Sequence, residues 1–237
     1  MKSMFKCLSF AAILAVVASP AARADAYNSS LTQGPGFYNG NGGSNSAFDV
    51  VTAPNSDGSS LQLGLSAINR GIGPITPTKN TYMYTPSAGP LATWDFAFSV
   101  NTGSDPLSAY AYLITVTDTT TGATTTFDPT TKLPDNAQAN PSSPGGVFCN
   151  GCAYVGSNDG LQNAENLGFD FLQNPLAFSA SAPDNYSITL TVTGAGLAGS
   201  AIDTINVVPA PEPGSLVLLG TGLMGGIGTM IRRRRIA

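Results

Sequence analysis

Period-two alternation of apolar and polar residues is the strongest structural signal in this 237-residue chain. Five segments place an apolar side chain at every second position, as half-buried β-strands do. Between residues 25 and 208, no segment shows apolar residues at helical spacing. The apolar positions that share a face are Leu61, Leu63 and Leu65; Trp94, Phe96, Phe98 and Val100; Tyr110, Tyr112, Ile114 and Val116; Ile188, Leu190 and Val192; Ile205 and Val207. The pattern predicts an all-β domain.

Turn-forming residues separate these segments at short intervals. The stretch "TDTTTGATTTF" predicts a hairpin around Thr121-Gly122, and "TGAGLAGSA" predicts the loop between the last two strands. Many short strands with such punctuation favour an antiparallel β-sandwich of jelly-roll or Ig-like type. Residues 127–166 lack clear periodicity and are predicted to form an elaborated loop, with one short helical turn near "LQNAENL".

The N-terminal residues have the order of a secretory signal peptide. Lys2 and Lys6 precede an apolar stretch over residues 8–18, and a small-residue site follows at Ala22 and Ala24. The apolar stretch is too short to span a bilayer of about 30 Å as a helix. We therefore expect a signal peptide over residues 1–24, cleavage after Ala24, and a mature chain that begins at Asp25.

The C-terminal residues have the order of a membrane anchor. Residues 214–231 carry no charge and would reach about 27 Å as a helix, which is just enough for a thin bilayer. The cluster Arg232, Arg233, Arg234 and Arg235 follows and should stop transfer on the cytoplasmic side of the inner membrane. The helix is marginal because of Gly220, Gly222, Gly225, Gly226 and Gly228, and a marginal helix suits temporary anchoring.

The motif Pro211, Glu212 and Pro213, followed by the apolar span and the arginines, resembles the PEP-CTERM sorting signal of exported Gram-negative bacterial proteins. The resemblance covers only the tail, and Ala210 stands where family members often have valine. It implies recognition and cutting near Pro-Glu-Pro by a transpeptidase-like membrane enzyme, exosortase, in organisms that make exopolysaccharide. An ordinary single-span anchor, the alternative, leaves the Pro-Glu-Pro unexplained.

The chain is thus predicted to have three parts: a signal peptide at 1–24, one β-sandwich domain at 25–208, and a sorting tail at 209–237. The middle part, here called the body, has three basic and thirteen acidic residues and a formal charge of −10. Nucleic-acid binding rests on cationic side chains that neutralise phosphates, so this charge excludes nucleic acid as a partner. An anionic membrane surface is an equally poor partner for the body.

Few residues of the body could carry chemistry. The chain has no histidine, which excludes Ser-His-Asp and Cys-His arrangements. Cys149 and Cys152 are predicted to form a disulfide in an exported protein, with redox, metal or free-thiol roles as alternatives. Carboxylates such as Glu165 with Asp170, or Asp95 with a cross-sheet partner, could serve a glycosidase, although solvated acids are far commoner.

Two binding roles remain open from the sequence. The loops "APNSDGSS" and "GSNDGLQNAEN" offer oxygen ligands for calcium, or simply make turns. Aromatic residues could form a sugar platform, but Trp94 shares a face with two phenylalanines and should be core. Tyr82 and Tyr84 are expected to be the more exposed candidates, ahead of Tyr110 and Tyr112.

These observations predict a non-enzymatic protein of the cell surface or extracellular matrix that needs no cofactor. It would be exported across the inner membrane, held briefly by its C-terminal helix, processed by an exosortase-type enzyme, and associated outside the cell with exopolysaccharide or biofilm. A carbohydrate-binding module is the alternative, and a glycoside hydrolase is a third hypothesis.

Overall fold

The structure is a computed structural model that describes residues 24–31, 46–55, 58–103, 105–132, 138–139, 160–194 and 196–211. The strands found there are β1 (Ala24–Ser29), β2 (Phe48–Pro54), β3 (Ser60–Asn69), β4 (Gly73–Pro74), β5 (Thr81–Tyr84), β6 (Trp94–Asn101), β7 (Tyr110–Asp118), β8 (Thr124–Phe127), β9 (Gln138–Ala139), β10 (Gly160–Glu165), β11 (Tyr186–Gly194) and β12 (Ala201–Pro209). Two short α-helices, α1 (Pro129–Lys132) and α2 (Asp170–Leu176), and a 3-10 turn at Leu107–Ala109 accompany them.

The strands form two sheets. The first sheet has the order β1-β2-β3-β6-β10-β9, with β4 paired to β3, and the second has the order β5-β12-β11-β7-β8. Neighbouring strands are antiparallel except β5 and β12, which run parallel. The expectation of a mostly β protein is confirmed, although the parallel pair was not predicted.

One apolar core lies between the two sheets. It takes Leu63 and Phe96 from the first sheet and Ile114, Leu190 and Ile205 from the second. Every residue that alternation placed on a shared face is buried in this core, from Leu61 on β3 to Val207 on β12. The period-two prediction of the inward faces is therefore confirmed.

The first sheet is buried on its other face as well. All eight residues of β6 are buried, so the prediction that this strand is half-buried is wrong, and all six residues of β10 are buried as well. A second apolar cluster occupies that face, made of Leu31, Phe48, Val50, Ile68, Ala97 and Ala164. Gly64 lies beneath it, where a Cβ atom would stand 2.8 Å from Leu31 Cδ2 and 2.9 Å from Phe48 Cδ1. Glycine at this position thus permits close packing over the sheet.

The predicted helical turn near "LQNAENL" is wrong. This segment contains β10, which pairs with β6 from Gly160 opposite Asn101 to Glu165 opposite Phe96. The strand was not predicted because both of its faces are buried and its polar side chains do not alternate with apolar ones. Gln162 Nε2 satisfies part of that burial by donating to Ser99 Oγ at 2.8 Å.

The two predicted turns are confirmed. β7 and β8 form a hairpin in which Gly122 has φ of 82°, a conformation that favours glycine. β11 and β12 pair from Tyr186 opposite Val207 to Val192 opposite Ala201, so the "TGAGLAGSA" segment joins them.

Asn166, which follows β10, ties the end of this strand to the start of β6. Its Nδ2 atom lies 3.0 Å from the carbonyl oxygens of Ala92 and Trp94, and its Oδ1 accepts from Ala92 N at 3.0 Å. Oδ1 also accepts from Gly168 N at 2.9 Å. The side chain is fully buried, so its partners would have no water to bond with if the side chain were removed.

We predict that Asn166→Ala lowers the free energy of unfolding by roughly 2–4 kcal/mol, because each buried polar group left unpaired costs about 1–3 kcal/mol. Denaturant unfolding would measure the change. Asn206→Ala, at a half-buried position on the outward face of β12, is the matched control and should stay within about 0.5 kcal/mol of wild type. Equal losses in the two variants would contradict the role of Asn166.

Candidate functional site

The end of β12 is where the folded body meets the predicted sorting motif. Val208 and Pro209 pair in parallel with Met83 and Tyr84 of β5, and Ala210 N donates to Tyr84 O at 2.7 Å. The sheet therefore holds the backbone through Ala210. Pro211, the first residue of Pro-Glu-Pro, follows directly and is exposed.

Pro209 fits the strand because its missing N–H is not needed. The N–H groups of Asn206 and Ala210 point to the β5 side, where they donate to Asn80 O and Tyr84 O. An N–H at position 209 would point the other way, toward β11. The pairing of β11 with β12 has already ended there, at Tyr186 opposite Val207. Proline at the end of a ladder thus removes no hydrogen bond.

Tyr84 anchors this junction to the interior. Its hydroxyl lies 2.8 Å from Asp184 O and 3.2 Å from Ala182 O. Its ring packs against Trp94 and Tyr186 at centroid distances of 5.7 and 6.4 Å. Burial, with a smaller contribution from the nearby Asp184 charge, raises the pKa of Tyr84 to about 12. These contacts fix β5, the strand that pairs with the end of β12, to the core.

The predicted exposure of Tyr82 and Tyr84 is wrong. Both residues are buried on β5, and the Tyr82 hydroxyl donates to Ala47 O at 2.7 Å. Tyr110 and Tyr112 are buried as well, with hydroxyls bonded to Asp105 Oδ2 and Leu107 O, each at 2.8 Å. Trp94 is core, as expected. A sugar platform made from these aromatic residues is therefore excluded, because their faces pack inside the body.

The candidate carboxylates do not form one site. Glu165 pairs with Phe96 and lies on the core side of the first sheet, whereas Asp95 is one residue away on β6 and points to the other side. Asp170 begins α2 and is exposed. Asp95 accepts from Asn166 Nδ2 at 2.6 Å and lies 4.0 Å from Arg70 Nε.

Burial raises the pKa of the Asp95 carboxyl above its ordinary value, and the Asn166 hydrogen bond and the Arg70 charge offset only part of this effect. Asp95 is 1% exposed, while the Arg70 side chain is 40% exposed. Within the described part of the chain, Asp95 Oδ2 has no hydrogen-bond partner. The neighbouring groups therefore offset only part of the cost of burying the ionised carboxyl.

The candidate calcium loops are only partly described. Asn55 Nδ2 lies 3.0 Å from Ser59 Oγ within the "APNSDGSS" segment and 3.3 Å from Asp105 Oδ2 outside it. The second segment continues into β10. No cluster of three or more His, Cys, Asp or Glu side chains suited to a metal occurs among the described residues.

Several predicted positions lie outside the described residues. These are Ala22 of the signal site, Cys149 and Cys152, Glu212 and Pro213 of the motif, the apolar span 214–231, and Arg232 to Arg235. Ala24 begins β1, where it pairs with Thr52. The helices in the described ranges are all too short or too polar to cross a membrane.

A protein-family comparison confirms the resemblance of the tail. The model of the PEP-CTERM protein-sorting motif matches residues 209–235. No curated protein and no solved structure matches the chain. The chain therefore carries a PEP-CTERM sorting motif, which indicates export and membrane-associated sorting by an exosortase-type enzyme in a Gram-negative bacterium. The motif begins at the last residue of β12.

The raised pKa of Asp95 predicts a specific pH dependence. The folded carboxyl holds its proton more tightly than the unfolded one, so its contribution to the free energy of unfolding should fall as pH rises from below 3.8 through the folded pKa. Above that range the loss should be constant. Denaturant unfolding at several pH values would measure the free energies of unfolding of wild type and Asp95→Asn. The variant should become more stable relative to wild type as the pH rises.

Asn206→Ala, which changes no ionisable group, is the control. Its stability relative to wild type should stay constant over the same pH range. If the difference between Asp95→Asn and wild type were flat across the acidic range, the buried carboxyl would not be destabilised in the fold.

Proposed function

We propose that this protein is a non-enzymatic component of the cell surface or extracellular matrix that associates with exopolysaccharide. A signal peptide at 1–24 directs export, and the body folds as a β-sandwich of jelly-roll or Ig-like type. The span 214–231 anchors the protein in the inner membrane until the exosortase-type enzyme acts at Pro211, Glu212 and Pro213. The observation that carries the proposal is the sorting motif at residues 209–235.

The geometry of the junction supports sorting as the role of the tail. The sheet holds the backbone through Ala210, and the motif begins with no spacer between it and β12. A body built this way is presented close to the membrane while the span is inserted. Cutting at Pro-Glu-Pro then separates the whole folded body from its anchor.

The build of the body supports a non-enzymatic role. It has no histidine, and the candidate acids Asp95 and Glu165 point to opposite faces of a sheet whose two faces are buried. A glycosidase needs two carboxylates that face one cleft about 5–10 Å apart. These acids do not offer that arrangement to a substrate.

The processing scheme predicts two cuts that intact-mass measurement in the native host can detect. The mature wild-type protein should begin at Asp25 and lack Arg232 to Arg235. Replacing Pro211, Glu212 and Pro213 with alanine should leave the arginines in place and shift the protein to the membrane fraction, because the motif is the recognition element.

Pro183→Ala, at an exposed proline of the body, is the control and should be processed like wild type. Bulk mature wild-type protein that still carries the four arginines would refute processing of the tail. Normal processing of the triple-alanine variant would refute the role of Pro-Glu-Pro.

A further inference from the structure

The outward face of the second sheet has a composition unlike the rest of the body. Strand alternation places sixteen side chains on it, and none of them is charged. Nine are threonine and one is serine. The residues are Thr81 and Met83; Ala111, Leu113, Thr115 and Thr117; Thr124 and Thr126; Ser187, Thr189, Thr191 and Thr193; Ile202, Thr204, Asn206 and Val208. We call this surface the threonine face.

The strand register arranges the hydroxyl groups in rows. One row crosses four strands through Thr126, Thr115, Thr189 and Thr204. The next row crosses five strands through Thr124, Thr117, Ser187, Asn206 and Thr81. Neighbouring residues in a row are about 4.8 Å apart, and rows repeat about every 6.7 Å along a strand. The result is a grid of side chains that can donate and accept hydrogen bonds.

The grid is preorganised. Thr189 Oγ1 lies 3.0 Å from Thr204 Oγ1, and Thr117 Oγ1 lies 3.1 Å from Thr124 Oγ1. Branching at Cβ restricts the rotation of each threonine side chain. Each hydroxyl in these pairs keeps a lone pair or proton for a further partner. A ligand that binds here would therefore lose little free energy to ordering of these side chains.

β-Sheet propensity explains threonine on a solvated strand but not the missing charges. The body has thirteen acidic residues, and none of those whose side chains the structure describes is on the threonine face. Solvated protein surfaces ordinarily mix charges of both signs. The apolar side chains on this face include Leu113 and Ile202, 42% and 44% exposed, which flank Thr191 in a single row. A surface of hydroxyls and small apolar patches suits a partner with hydroxyls and C–H groups and no charge.

We propose that the threonine face binds a neutral polysaccharide. The inference rests on the proposed association with exopolysaccharide and names its contact surface and polymer class. The face offers no cation to an anionic polymer, and the body charge of −10 would repel one. A neutral polymer has no charge to desolvate, and its hydroxyls can donate to and accept from the threonine hydroxyls. The buried aromatic residues take no part.

Binding of the mature secreted protein to two polymers would test the proposal. Dextran or amorphous cellulose serves as the neutral probe, and alginate serves as the anionic probe. Wild type should bind the neutral probe and not alginate. Thr189→Lys, at the centre of the grid, should weaken this binding at least about tenfold, because the ammonium would lose hydration against an uncharged chain.

Thr189→Val should weaken binding by about three- to tenfold through loss of one hydroxyl while keeping a β-branched side chain. Thr52→Lys and Thr52→Val are matched controls, because Thr52 is a half-buried strand residue of the first sheet. Both should bind like wild type. Thermal melting of all four variants would verify that each is folded, and the valine pair keeps the test valid if a lysine variant unfolds.

Three results would overturn the inference: no binding of wild type to the neutral probe, preference for alginate, or equal loss in the Thr52 variants. Self-association of wild type that Thr189→Lys abolishes, without polysaccharide binding, would assign the face to a second copy of the chain and overturn it too. Correct tail processing together with any of these results would leave the sorting role standing. Failure of processing with intact neutral binding would overturn sorting alone.

Discussion

Packing of two sheets through one apolar core is the interaction on which the rest of this structure depends. The core joins residues such as Phe96 and Leu63 of the first sheet to Leu190 and Ile205 of the second. The two sheets then differ in their remaining faces. The first sheet is covered by a second apolar cluster that reaches Phe48 and Leu31, whereas the second sheet faces solvent. Of the two outward sheet faces that the structure describes, the threonine face is therefore the more open to a partner.

A short series of contacts connects the core to the residue before the sorting motif's Pro-Glu-Pro. Tyr84 packs on Trp94 and Tyr186, and its backbone carbonyl accepts from Ala210 N. Pro211 follows within one residue. The folded body and the sorting motif are therefore contiguous in the described residues, because the backbone that the sheet holds ends directly before Pro211. The body has a formal charge of −10, and the four arginines of the tail mask part of this charge in the whole chain.

Alternation predicted the core well and the covered face poorly. On β11 and β7, one face is apolar and the other is threonine-rich, so the pattern identified the inward residues without error. On β10, polar residues such as Gln162 and Asn163 are buried, and the pattern suggested a helical turn. Tyr82 and Tyr84 lie on β5, but the irregular sequence around them led to the expectation that they are exposed. α2 was missed because it is seven residues long and contains Pro175.

The sequence by itself determined the sorting motif, the acidic charge of the body, the inward faces of the main strands and the two turns. These properties depend on residue type and local spacing, which require no knowledge of distant contacts. Only the tertiary structure decided which sheet is covered twice, that the aromatic residues are internal, and that Asp95 and Glu165 point apart. It also aligned threonines from four strands into rows, because register between strands distant in the chain is set by packing of the whole core.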